Sequence, residues 1–257
     1  MIHKDAYIHP SAVIADSAEI DKGAYIGKGC VIGENVTVGY NAVIECHTTV
    51  GDGTRVFANA HIGGEPQDYS FKGEDTKLII GKNCMIREFA TVHRASTKED
   101  VWETRVGDNC FLMAYSHVGH DCKLENNITM TTFTALGGHC RVGANTVIGG
   151  FTGAHQFVRI GTGCMIGGMS GLRKDVPPFC MVAGNPAEIE GLNLVGLKRR
   201  GVTPEVRMEL KRALKIYMNL TVKLADVTDK LAELKQFDEV KIFIDFIQDS
   251  KRSFQRS

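Results

Sequence analysis

An aliphatic residue returns at every sixth position through most of this chain: Ile26, Ile32, Val38, Ile44, Val50 and Val56 keep the interval without a slip. The register reaches back to Ile8, Ile14 and Ile20 and forward to Ile62, then resumes at Ile80, Ile86 and Val92. From Val106 it runs through Leu112, Val118, Leu124, Met130, Leu136, Val142, Ile148, Ala154, Ile160 and Ile166 to Leu172. A helix repeats about every 3.6 residues and a strand every second one, so neither alone gives a period of six. A sustained repeat of this length predicts a parallel β-helix, mainly β, in which one short strand and one corner recur per unit.

The other positions of the unit fit. The residue after the aliphatic one is often glycine (Gly27, Gly33, Gly39, Gly51, Gly63, Gly81, Gly107, Gly119, Gly143, Gly161), which predicts a corner with backbone angles that other residues resist. Four places after the aliphatic stands a small residue, among them Ala18, Ala24, Cys30, Ala42, Thr54, Ala60 and Ser116. One large and one small inward side chain per unit would fill a narrow triangular core. This hexapeptide pattern resembles the left-handed β-helix acyltransferases. The left hand and three hexads per coil are what that resemblance implies; the period sets neither.

The chain has 257 residues, enough for a sizeable core, with no net charge and a pI near 7.1. That balance provides no basic footprint for nucleic acid. No apolar run is long enough to span a bilayer and no secretory signal opens the chain, so no membrane insertion is expected. Of eight cysteines, Cys30, Cys84, Cys110, Cys122, Cys140 and Cys164 fall in the small inward slot, while Cys46 and Cys180 do not. They read as buried small apolar residues rather than metal ligands or disulfides, which suits a reduced, cytoplasmic protein.

The repeats start at Ile8, so no separate domain is expected before them. The β-helix is expected over residues 1–186, interrupted by polar loops near 64–78 and 95–104, the second carrying the only tryptophan. Loops thrown out of a strict repeat are where solenoids keep function. The Pro- and Gly-rich stretch 173–201 reads as irregular. A C-terminal helical domain is expected over 187–257. Thr203 as N-cap and Pro204 at the first helical position start a helix with Val206, Leu210, Leu214 and Tyr217 on one face. Leu224, Val227, Leu231 and Leu234 suggest a second helix; Asp238 would cap a third, with Val240, Ile244 and Ile247 inward. Such a tail would cover the open end of the solenoid.

If three hexads make a coil, units eighteen residues apart stack. Counting the loops as insertions, the units of Ile62, Val92, Val118, Leu136 and Ala154 share one edge, and both loops leave from it. His93, His117, His120, His139 and His155 then gather on that edge, with His139 directly above Asp121 and Asp68 emerging nearby from the first loop. A lone histidine is more often structural, but five beside two loops predict a site. Two chemistries suit it: one neutral imidazole as general base on a hydroxyl, or three imidazoles holding zinc, as in the γ-class carbonic anhydrases that share this fold.

Several motifs favour the first. "PQD" at 66–68, "TVHR" at 91–94, "HVGHDC" at 117–122, "GGH" at 137–139, "AHQF" at 154–157, "DVPP" at 175–178 and "GLKRRG" at 196–201 occur in this order. Together they resemble the acyl-carrier-protein:UDP-N-acetylglucosamine O-acyltransferases that open lipid A synthesis, over nearly the whole chain. The resemblance implies transfer of a 3-hydroxyacyl chain from acyl carrier protein to the sugar 3-hydroxyl, without cofactor or metal, by a homotrimer with sites between subunits. It implies His120 as general base, Asp121 as its support and the Gly138 N–H as oxyanion donor. Asp68, His139 and Gln156 would contact the glucosamine, with His93, His117 and His155 lining the site. Asn193, Arg199 and Arg200 would serve the nucleotide and carrier phosphates, and Gly168 would leave room for a longer acyl chain. The sequence departs from the family where a lysine, a tyrosine and an acidic residue are common; Ser70, Phe71 and Val195 stand there, with Lys72 a nearby substitute for the lysine.

The period alone also places Arg105, Lys123, Arg141 and Arg159 in one outward ladder. It reads either as a solvated face neutralised by Asp108 and Glu125 or as a docking stripe for the acidic carrier protein, extended by Arg173 and Lys174. A non-catalytic scaffold is the remaining alternative, and it gives no reason for "HVGHDC" to face a loop.

Overall fold

Each unit of six contributes a short strand and a turn, and strands one coil apart pair in parallel register, as Lys123 pairs with Arg141 and Leu124 with Val142. The computed structural model describes residues 1–96, 102–219, 224–234 and 237–249. Its strands sort into three sheets visited in turn, a left-handed parallel β-helix. Face 1 runs from Tyr7–Ile8 through His61–Gly64, Thr91–His93, His117–Val118 and Ala135–Leu136 to Gly171–Leu172; face 2 runs from Val13–Ile14 to Arg159–Ile160; face 3 begins at Glu19–Ile20. Ile26, Ile44, Ile62, Val92, Val118, Leu136 and Ile148 point inward and are fully buried.

The small slot does more than fill space. Cys122 and Cys140 direct their thiols at the carbonyls of Gly137 and His155, both at 3.2 Å, and Thr146 donates to the Gly161 carbonyl at 3.0 Å. A corner carbonyl of the adjacent coil lies within reach of this slot, so Thr and Cys serve where Ala would leave it unpaired. All eight cysteines are free thiols.

Except for Gly63, at φ 79°, the glycines after the aliphatic do not adopt unusual angles, contrary to the sequence expectation; a Cβ on Gly143 would lie 2.4 Å from the Thr162 nitrogen. Close approach of successive coils selects them. The left-handed residue comes three places after the aliphatic instead, and its chemistry differs at each corner. Between faces 2 and 3 it is mostly asparagine (Asn35, Asn83, Asn109, Asn127, Asn145), which tolerates positive φ. Between faces 3 and 1 it changes from Asn41 and Asn59 to Phe89, Tyr115, Phe133, Phe151 and Met169. Between faces 1 and 2 it includes His47, Asp121, His139 and Phe157.

The Pro- and Gly-rich stretch is not irregular. Cys180–Ala183 extends face 3 in parallel, Glu188–Leu192 turns back antiparallel against it, and α1 (Leu194–Arg199) follows. Next come α2 (Pro204–Met218), α3 (Leu224–Ala232) and α4 (Asp238–Asp249). Thr203 caps α2 by accepting the Val206 N–H, and Val206, Leu210, Leu214 and Tyr217 are buried. Val227 and Leu231 are buried in α3, while the Leu224 side chain lies outside the described residues and Leu234 follows the helix end. Asp238 is the first residue of α4, whose acidic first turn suits the helix dipole.

The ladder stands in register on face 2. The Asp108 and Glu125 carboxylates accept the backbone N–H groups of Lys82 and Ala144. Arg105 pairs with Glu103 at 2.8 Å, and Arg159 donates to the Asp249 carbonyl and covers the Phe246 ring. Both ends of the stripe are engaged within the chain.

Candidate active site

The corner between faces 1 and 2 carries both loops, the first at 65–76 and the second between His93 and Glu103. Asp121, just past the strand His117–Val118, has a φ of 59°, and this left-handed turn brings its carboxylate back to the preceding ring. Adjacent strand residues would point apart; here His120 Nδ1 and Asp121 Oδ2 lie 2.8 Å apart. Asp121 Oδ2 also accepts the Ser96 amide at 2.9 Å, the Ser96 hydroxyl oxygen lies 2.9 Å from it, and His139 Nε2 lies 3.8 Å away. Burial alone would raise the Asp121 carboxyl, but His120, Ser96 and His139 outweigh it and hold it at about 2. An ionised carboxylate only accepts, so the His120 hydrogen sits on Nδ1 and Nε2 keeps its lone pair.

The His120 ring lies against Gly138, where a Cβ would be 2.5 Å from Nε2. Among the described residues the Gly138 N–H has no hydrogen-bond partner. Gln67, His93, His117, Gly119, His120, Gly137, Gly138 and Gln156 enclose a cleft of about 210 Å³. His117 Nδ1 is 2.8 Å from the Thr91 hydroxyl, and burial, aided by His93 and His120, pushes it down to about 4. Burial also lowers His93, whose Nδ1 has no partner among the described residues. Both rings are therefore neutral at pH 7, polar without charge.

His139 stacks on Phe157 at 4.4 Å and meets the His120 ring edge-on at 5.2 Å, behind the cleft. His155 is exposed, its Nδ1 3.1 Å from the Gln156 carbonyl. Asp68 accepts the Ser70 amide on Oδ1 and the Ser96 hydroxyl on Oδ2, and these bonds, the Ser70 amide foremost, lower its carboxyl. Buried Arg94 seats the first loop: it donates to the Gly63 carbonyl at 3.3 Å, approaches Glu65 at 3.5 Å and lies over the Phe71 ring. Lys72 is exposed.

Four expected site residues lie elsewhere in the chain. Gly168 sits at the corner between faces 3 and 1, beside Gly150. Asn193 caps α1 and donates to the Gly163 carbonyl, and Arg200 covers Phe179, both at the corner between faces 2 and 3; Arg199 ends α1, on which Val195 is exposed. Ser96, Gln67 and Arg94 had no sequence-based role. Two of them lie in quoted motifs, but their partners lie across loop insertions that break the eighteen-residue count. His120, Asp121 and His139 have ligand atoms within 4.8 Å of one another, a set that could meet a cation, although Asp121 Oδ2 already accepts the His120 Nδ1–H and the Ser96 amide.

Residues 175–255 match the second domain of the UDP N-acetylglucosamine O-acyltransferase family, and residues 11–46 match the bacterial transferase hexapeptide (six repeats) family. An acyl-[acyl-carrier-protein]–UDP-N-acetylglucosamine O-acyltransferase of Thermodesulfovibrio yellowstonii is 46% identical over 83% of this chain and 83% of its own. One from Campylobacter concisus is 43% identical over 80% of this chain and 78% of its own. Among solved structures, the UDP-N-acetylglucosamine acyltransferase of Campylobacter jejuni superposes with a TM-score of 0.92 at 41% identity, covering 99% of this chain and 98% of that one. The enzyme from Bacteroides fragilis gives 0.95 at 35% identity, covering 99% and 100%.

Proposed function

The chain belongs to the acyl-[acyl-carrier-protein]–UDP-N-acetylglucosamine O-acyltransferase family, and we propose that His120 is its general base. As a member it is an acyltransferase that moves a 3-hydroxyacyl chain from acyl carrier protein to the 3-hydroxyl of UDP-N-acetylglucosamine, the first step of lipid A biosynthesis. His120 Nε2 removes the proton from the sugar 3-hydroxyl as that oxygen attacks the thioester carbonyl. The new C–O bond leaves an oxyanion, which the Gly138 N–H stabilises; one such donor is worth about 3–4 kcal/mol. Collapse breaks the C–S bond, and the imidazolium returns its proton to the departing thiolate. Asp121 holds the tautomer and stabilises the imidazolium. The observation that carries this reading is the 2.8 Å His120–Asp121 bond behind a ring whose other nitrogen lies against Gly138 and has no hydrogen-bond partner among the described residues.

Asp68, His139 and Gln156 contact the glucosamine, with His93, His117 and His155 lining the site. Asn193, Arg199 and Arg200 serve phosphates, and Gly168 leaves room for a longer chain. In one chain these groups occupy three different corners, so a substrate that reaches all of them needs a neighbouring subunit. The column Phe89, Tyr115, Phe133 and Phe151 supports a homotrimer. These exposed rings stack at 4.8–5.0 Å in backbone conformations that bulky residues disfavour, and burial against a second copy would offset that strain. No helix among the described residues is long and apolar enough to cross a membrane, and eight free thiols suit a reducing cytoplasm.

The test is turnover with UDP-N-acetylglucosamine and a series of 3-hydroxyacyl carrier proteins. His120→Gln should lower kcat at least about a hundredfold, and chelation should leave the native rate unchanged. Retained turnover in His120→Gln removes the base, and loss on chelation with recovery on adding zinc restores the metal reading.

A further inference from the structure

Ser96 occupies the centre of the site although no motif assigns it a role. Its Oγ lies 2.9 Å from Asp68 Oδ2, 2.9 Å from Asp121 Oδ2 and 3.1 Å from His120 Nδ1, and its amide donates to Asp121 Oδ2 at 2.9 Å. The residue is 4% exposed. It belongs to the second loop, Asp68 to the first, and the His120–Asp121 pair to the β-helix corner. One side chain therefore touches three segments that are remote in sequence.

A hydroxyl carries a single hydrogen, and two carboxylates compete for it. Asp121 Oδ2 already has the His120 Nδ1–H and the Ser96 amide. Asp68 Oδ1 has the Ser70 amide, but among the described residues Oδ2 has only the Ser96 hydroxyl. The hydrogen therefore belongs on Asp68, and the freed Oγ lone pair faces the His120 Nδ1–H. In this arrangement each donor meets an acceptor and the two carboxylates are held apart by a neutral group.

We propose that Ser96 is a positioning residue that clasps both loops to the His120–Asp121 pair and fixes the Asp68 carboxylate where the acceptor sugar meets it. This deepens the reading above and rests on Asp68 as a sugar contact. Asp68 is assigned to the sugar and not to the carrier, so the clasp acts on the affinity for the sugar nucleotide and not on that for the carrier protein.

The experiment compares Ser96→Ala, Ser96→Thr, Asp68→Asn and the double variant Ser96→Ala/Asp68→Asn in the full-length enzyme, with KM measured separately for UDP-N-acetylglucosamine and acyl carrier protein. Ser96→Ala should raise the sugar KM about tenfold, the value of one hydrogen bond to a charged group, and leave the carrier KM unchanged. Ser96→Thr, which keeps the hydroxyl, should recover most of that loss. The double variant should be no worse than the worse single one, because both changes remove the same bond. The proposal is overturned if Ser96→Ala leaves the sugar KM unchanged while Asp68→Asn raises it, if both KM values rise together, or if the two losses add. An unchanged sugar KM in Asp68→Asn overturns it differently, by removing the sugar contact itself; the role of His120 is decided separately by His120→Gln.

Discussion

Gly138→Ala isolates the placement of the catalytic ring from every other feature of the site. Gly138 has an ordinary backbone conformation, so alanine brings no dihedral strain, and its N–H is retained as oxyanion donor. The added Cβ, however, would stand 2.5 Å from both Nε2 and Cε1 of His120 and 3.0 Å from Nδ1. Carbon contacts settle near 3.5 Å, so the ring must retreat by about 1 Å. The retreat stretches or breaks the 2.8 Å bond to Asp121, and a displacement of that size costs about a hundredfold in rate, or about 2.7 kcal/mol of barrier. The assay is release of the carrier thiol under saturating sugar nucleotide, paired with a melting curve. The expected result is a kcat lowered about a hundredfold with little change in Tm, because the clash lies at an outer corner and not in the core. A folded variant within threefold of the native kcat would refute the placement of His120, and with it the general-base geometry.

Two further outcomes follow from the same structure. Phe133 and Phe151, stacked at 4.9 Å on the corner between faces 3 and 1, should hold subunits together; Phe133→Asp should yield a folded monomer by light scattering with turnover largely lost, and an intact trimer would refute that placement. His117 has a folded pKa depressed to about 4 against an ordinary value near 6.5. Below 6.5 the unfolded chain binds the extra proton first, so stability falls as pH drops from about 6.5 to about 4 and is unaffected above that window. His117→Asn should flatten this part of a Tm-versus-pH curve, and an unchanged slope would show that His117 is not held neutral.

The six-residue interval determined a great deal by itself. Ile62, Val92, Val118, Leu136 and Ala154 share a face because counting is enough to stack units when each coil has the same length. The burial of the cysteines and the start of α2 at Thr203 were readable for the same reason, since slot position and capping are local properties. The glycine positions were visible but their cause was not: crowding by the coil above, rather than backbone angle, is a relation between residues eighteen apart. Tertiary structure alone decided that Asp121 turns back onto its neighbour His120, because the left-handed residue comes three places after the aliphatic and shows no fixed residue type at this corner. It also decided the role of Ser96. The two loops interrupt the count, so no spacing in the sequence relates Ser96 to Asp68 or Asp121, and only the folded chain brings one hydroxyl between two carboxylates.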